Sequence, residues 1–185
     1  MTDKTLTYDG MSLHSGDFFS LSDISANNFS IEDIAYGLSG VCRFNGHVKN
    51  YMHYSVAQHS VIVSQNVPRE FALAALMHDS SEAFICDVPS PLKRRLSQYS
   101  DIEGSVTDAI FAKYGIGIAA NHSEIVTSDM RALVTEVRDV LSEGQKKYFD
   151  KYGNFEPFRD TIEPISRREA AYMFMKRFQE ITGAI

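Results

Sequence analysis

Glu70-Phe71-Ala72-Leu73-Ala74-Ala75-Leu76-Met77-His78-Asp79-Ser80-Ser81-Glu82-Ala83-Phe84 is the stretch on which the reading of the fold turns. Six consecutive apolar residues, Ala72 to Met77, leave no polar face. Such a pattern predicts a helix over 70–84 that is buried on nearly all sides, at the centre of the molecule. Into it are set the adjacent imidazole and carboxylate of His78 and Asp79. Burying such groups without partners costs several kcal/mol (roughly 2–7 for a neutral group, more for a charge). A divalent cation would compensate both, because imidazole nitrogen and carboxylate oxygen are good ligands for borderline ions. Taken alone, a His-Asp dipeptide is more often structural than metallic.

Outward from this stretch the chain reads as further helices. Ser30 followed by Asp33 is an N-cap pattern, with Ile31, Ile34, Ala35 and Leu38 on one face and Gly40 as the stop. Ser55 caps a second helix that runs toward Pro68 and carries His59. Asp101 to Tyr114 and Ser123 to Leu141 follow. In the latter, Ile125, Val126, Met130, Leu133, Val134 and Val137 recur at helical spacing, and Asp129 lies among them. Residues 142–164 read as irregular, and Ser166 with Glu169 opens a last helix to Ile181. Its Ala170, Ala171, Met173, Phe174 and Phe178 suit core better than a subunit contact. At the start, Thr5–Tyr8 and Met11–Leu13 flank Asp9-Gly10, a hairpin pattern, with Phe18–Leu21 a further extended piece. The expectation is an all-α compact helical bundle with a small N-terminal β-hairpin. It forms one domain over 1–185: an N-terminal extension over 1–29, a metal-binding core over 30–142, and a C-terminal loop and helix over 143–185.

The chain has 185 residues with 44% hydrophobic and 23% charged, enough apolar content to bury a core. A net charge of −6 argues against a nucleic-acid coat or a membrane-surface protein. Cys42 and Cys86 form no C-x-x-C and fit a reducing, cytoplasmic compartment. No signal peptide and no run long enough to span a bilayer is apparent.

His59 and Asp129 are the natural further ligands. With His78 and Asp79, three packed helices would converge a His₂Asp₂ set on one ion and leave positions open for water and substrate. Glu82, four residues beyond His78, would lie one turn along the same face as a candidate general acid or base, or else at the surface. Asp87 and Lys93 sit in a loop stiffened by Pro89 and Pro91. Lys93-Arg94-Arg95 taken alone reads as a solvated charge run. Arg43 precedes the first ligand helix and is of the type that clamps a phosphate bidentately. His14 and His122 read as surface residues, and His47 and His53 as structural or as partners of a ligand.

These segments, taken in order, resemble the HD-domain phosphohydrolases of the bacterial 5′-deoxynucleotidase type and their phage relatives. The resemblance is carried by Ile31–Ala35, Cys42–His47, Tyr54–Ser60, Ala74–Ala83, Asp87–Lys93 and Asp129–Leu133, and covers most of the chain. It implies metal ligands His59, His78, Asp79 and Asp129. Glu82 and Asp87 would act on the attacking water and the leaving group, and Arg43 and Lys93 would contact phosphate. Phe44 stands where several relatives carry a tryptophan that packs near the sugar, so the family's sugar preference does not transfer.

The implied function is removal of the 5′-phosphate or polyphosphate from a (deoxy)nucleotide. A 5′-deoxynucleotidase and a triphosphohydrolase acting on a dNTP such as dATP both fit. The implied cofactor is zinc, manganese, cobalt or iron, or magnesium with a polyphosphate substrate. The partner is a small nucleotide, with no nucleic-acid polymer and no membrane, and a homo-oligomer stays open. The location is cytoplasmic, in the host if the gene is a phage's. The competing reading is a nucleotide-binding regulatory module with a catalytically weak HD site.

Overall fold

The protein is described by a computed structural model over residues 9–183. It is all-α with a small N-terminal hairpin. Strands β1 (Gly10–Ser12) and β2 (Phe18–Ser20) pair antiparallel, with Met11 opposite Phe19. The hairpin therefore turns through 13–17 rather than at Asp9-Gly10, and Thr5–Tyr8 lies outside the described residues. Gly10 is needed for close approach instead, because a Cβ there would overlap the carbonyl oxygen of Phe19. The hairpin is pinned by Phe19, fully buried and stacked on Phe84 at 4.1 Å.

Helix α1 (Ile31–Gly40) begins at Ser30. The Ser30 hydroxyl accepts from Asp33 N, and the Asp33 carboxylate accepts from Ser30 N. This reciprocal cap is worth about 1 kcal/mol. Helix α2 (Val56–Gln65) begins at Ser55 and packs against α1 and against three later helices. Almost every residue from Val56 to Ser64 is buried, so α2 is the true central helix.

The stretch expected to be one helix over 70–84 is interrupted. A 3₁₀ turn at Arg69–Phe71 leads into α3 (Ala72–Leu76), and α4 (Glu82–Ile85) resumes after a run of tight turns. Met77 N still bonds Leu73 O, but Ser80, Glu82, Ala83 and Phe84 each bond the carbonyl three residues back. Apolar content reported burial correctly and could not report continuity. Two serines with weak helix preference follow His78 and Asp79. The His78 ring also takes the Ala75 carbonyl at 2.8 Å, one that a continuing helix would have used.

Helices α5 (Ser90–Lys93), α6 (Tyr99–Lys113) and α7 (Ser123–Asp139) follow, then the short α8 (Glu143–Lys146), a 3₁₀ segment Lys147–Tyr152, and α9 (Arg167–Thr182). Ile125 of the apolar set read from spacing is buried on α7, but the rest of the inward face is Ser128, Ala132, Thr135 and Glu136, and Val126 is exposed. Small residues let α7 approach α2, and Ser128 Oγ donates to Val63 O across that contact. On α9, Ala170, Phe174 and Phe178 form one buried stripe against α1, α2 and α3, as core. Among the described residues no helix is long and apolar enough to cross a membrane.

Candidate metal centre

Three segments deliver the site. His59 lies on the second turn of α2 and is fully buried. His78 and Asp79 occupy the turns between α3 and α4, and Asp129 lies on the second turn of α7. His59, His78 and Asp129 each offer a ligand atom within 4.8 Å of the others, a group that can hold a metal ion. Asp79 Oδ2 stands beside it, 3.6 Å from His59 Nε2 and 3.2 Å from His78 Nε2. His59 Nε2 lies 3.1 Å from Asp129 Oδ1 without the alignment of a hydrogen bond.

The two Nε2 atoms are buried and have no hydrogen-bond partner among the described residues. Each imidazole instead uses its other nitrogen. His78 Nδ1–H donates to Ala75 O, and His59 Nδ1–H donates to Glu136 Oε1 at 2.6 Å. That division turns both Nε2 atoms toward the carboxylates across a common gap, an arrangement that can hold a cation.

Glu136 went unrecognised in the sequence. It is fully buried and accepts three hydrogen bonds: from His59, from the Tyr54 hydroxyl at 2.8 Å, and from Arg43 Nη2 at 3.0 Å. The one sequence signal was its position seven residues after Asp129, two turns along the same helix. Tyr54 and Arg43 reach it because residues 41–43 run beside 54–56. Arg43 N donates to Tyr54 O and Val56 N to Val41 O. Phe44 and Asn45 then turn away in left-handed backbone, at φ 54° and 51°. For a phenylalanine this costs on the order of 1–2 kcal/mol and is characteristic of functional segments.

The electrostatics divide the carboxylates. Burial pushes Glu136 up, but Arg43 and His59 outweigh it and hold it at about 2. Burial likewise opposes ionisation of Asp79, yet His78, His59 and Arg43 hold it far below the ordinary range, and the two histidines also lower Asp129. Glu82 goes the other way: burial, then Asp79 and Asp87, lift it well above its ordinary value. Burial also raises Asp87. Burial and Arg43 press His59 down, but Glu136 and Asp129 prevail and bring it up to about 9. The carboxylates that raise His59 would also attract a cation to the gap.

Glu82 opens α4 and is 5% exposed, and its Oε2 has no hydrogen bond among the described residues. It does not continue a helix from His78, as the spacing had suggested. Asp87 follows Cys86, whose φ of 66° is a strained value for a side-chain-bearing residue. Arg43, Phe44 and Asp87 line one cavity of about 310 Å³ together with Arg94, Tyr148 and Lys151. Lys93 lies apart, in a groove that it shares with His78 and Asp79, and its ammonium is held by Glu103 at 2.6 Å.

The other histidines serve locally. His14 stacks on Tyr36 at 3.9 Å. His53 Nε2–H donates to Ser39 O, and the Cys42 thiol reaches its Nδ1. His122 is half-buried, stacks on Phe71 and caps α7.

No protein-family model matches the chain. It is 38% identical over 176 residues to the uncharacterized protein YfdR of Escherichia coli, an alignment covering 91% of this chain and 93% of YfdR. An uncharacterized protein of Rhodobacter capsulatus is 33% identical over 110 residues, covering 55% of this chain and 56% of its own length. The chain belongs to the same family as YfdR.

Proposed function

We propose that the protein is a metal-dependent phosphohydrolase of the HD class that cleaves the 5′-phosphate or polyphosphate from (deoxy)nucleotides. The observation that carries this reading is the pair of buried imidazole Nε2 atoms, without a hydrogen bond among the described residues, that face the carboxylates of Asp79 and Asp129. His59, His78, Asp79 and Asp129 would hold the ion; zinc, manganese, cobalt and iron all suit such a donor set. A divalent ion there supplies Lewis acidity to a phosphoryl centre.

The chain's own residues supply the rest. Burial raises Glu82 and Asp87, so they are the candidates to carry a proton between the attacking water and the leaving oxygen. Arg43 offers a guanidinium at the wall of the cavity, with Arg94 and Lys151 further round it, to balance phosphate charge. Lys93 would act from the groove, where Glu103 shares its charge.

Product analysis tests the reading. Purified protein is incubated with each dNTP and dNMP in manganese, cobalt, zinc or magnesium, and products are separated by chromatography. Nucleoside with intact triphosphate makes it a triphosphohydrolase; nucleoside with phosphate from monophosphates makes it a 5′-nucleotidase. No product with any metal overturns the reading in favour of a nucleotide-binding module.

A further inference from the structure

We propose that Glu136 is the positioning residue of the centre: one carboxylate that orients His59 toward the metal and holds Arg43 at the cavity wall. The proposal rests on His59 being a ligand, as above. Three donors converge on a side chain that is fully buried, with no water-facing surface to compensate a lost partner. An ionised carboxylate is acceptor-only, so it can satisfy all three at once. His59 must then place its proton on Nδ1 and present Nε2 to the gap. Arg43, tied through Nη2, keeps Nη1 4.0 Å from Asp79 Oδ2.

Glu136→Gln tests this by geometry. An amide has one acceptor oxygen and one donor nitrogen in the same space. If the nitrogen faces His59, the imidazole must accept on Nδ1 and carry its proton on Nε2, inside the metal position. If the nitrogen faces Arg43, donor meets donor, and the guanidinium charge is left uncompensated beside the metal. Either orientation weakens metal binding, by about 10- to 100-fold on the scale known for such partners of ligating histidines.

Cobalt(II) is titrated into the full chain, parent and Glu136→Gln, and followed by calorimetry and by the visible absorption bands. The parent should bind, and the variant should bind at least about tenfold more weakly with shifted bands. Circular dichroism of the metal-free variant confirms that it is folded. Tyr54→Phe, which leaves the bond between Glu136 and His59, should lose less. Parent-like affinity and bands in Glu136→Gln overturn the proposal. No binding by the parent overturns instead the reading of His59 as a ligand. Should the variant fail to fold, nitrogen-15 NMR of the zinc-loaded parent decides: His59 protonated on Nδ1 is expected, and a proton on Nε2 overturns it.

Discussion

Asp129→Asn separates the metal from the fold. The side chain is 34% exposed, and its Oδ1 lies 3.1 Å from His59 Nε2. Replacing the carboxylate by its isosteric amide removes one negative ligand and leaves the buried network around Glu136 intact. The metal-free variant should therefore melt within about 1 kcal/mol of the parent, roughly 2–4 °C for a chain of this size. The metal-dependent part is larger. Free metal at a hundred times its dissociation constant stabilises the parent by about 2.7 kcal/mol. That is a rise of about 5–11 °C. A hundredfold loss of affinity in the variant leaves about 0.4 kcal/mol at the same concentration, a rise of about 1–2 °C. Thermal melts of both proteins with and without manganese, cobalt or zinc read this directly. An equal rise in both proteins would refute the placement of Asp129 in the ligand set.

Glu82→Gln should keep fold and metal affinity but lower turnover by about 10²- to 10⁴-fold, measured as phosphate or nucleoside released; full turnover would remove Glu82 from the chemistry. Gly37→Ala places a Cβ 2.9 Å from both Cβ and O of Ala83, where α1 crosses α4. It should cost about 1–3 kcal/mol in urea unfolding, and an unchanged midpoint would mean that the two helices are not in such contact. Burial raises the Asp33 carboxyl, but hydrogen bonds from Ser30 and Ser15 outweigh it and hold it below 3.8. Its contribution is thus complete above that ordinary value and is lost as pH falls through the depressed one. Acid melting curves of the parent should converge on those of Asp33→Asn as pH drops, whereas a constant gap would contradict this.

The caps were the most legible part of the chain. Ser30, Ser55 and Ser166 each begin a helix where the local pattern places one, because an N-cap is a contact within a few residues. The break over 77–81 was missed, since the apolar run ends at Met77 and does not say how the backbone continues through His78, Asp79, Ser80 and Ser81. The inward face of α7 was misread for a related reason. Packing against α2 selects small and hydrogen-bonding residues, whereas periodicity counts large apolar ones. His59, His78 and Asp129 lie close enough to hold a metal ion, with Asp79 Oδ2 beside them. Glu136 was invisible because its three donors come from positions 43, 54 and 59, and only folding makes them neighbours.

The break between α3 and α4 also limits how the protein can be improved. On a regular helix, successive side chains diverge by about 100°. Here His78 Nε2 and Asp79 Oδ2 lie 3.2 Å apart within the turns that separate α3 from α4. Replacing Ser80 and Ser81 with strong helix formers is the usual route to a more robust protein. In this chain it would draw the segment into one continuous rod and swing the two side chains apart. Resistance to heat and retention of the His78–Asp79 pair are in opposition at these two serines.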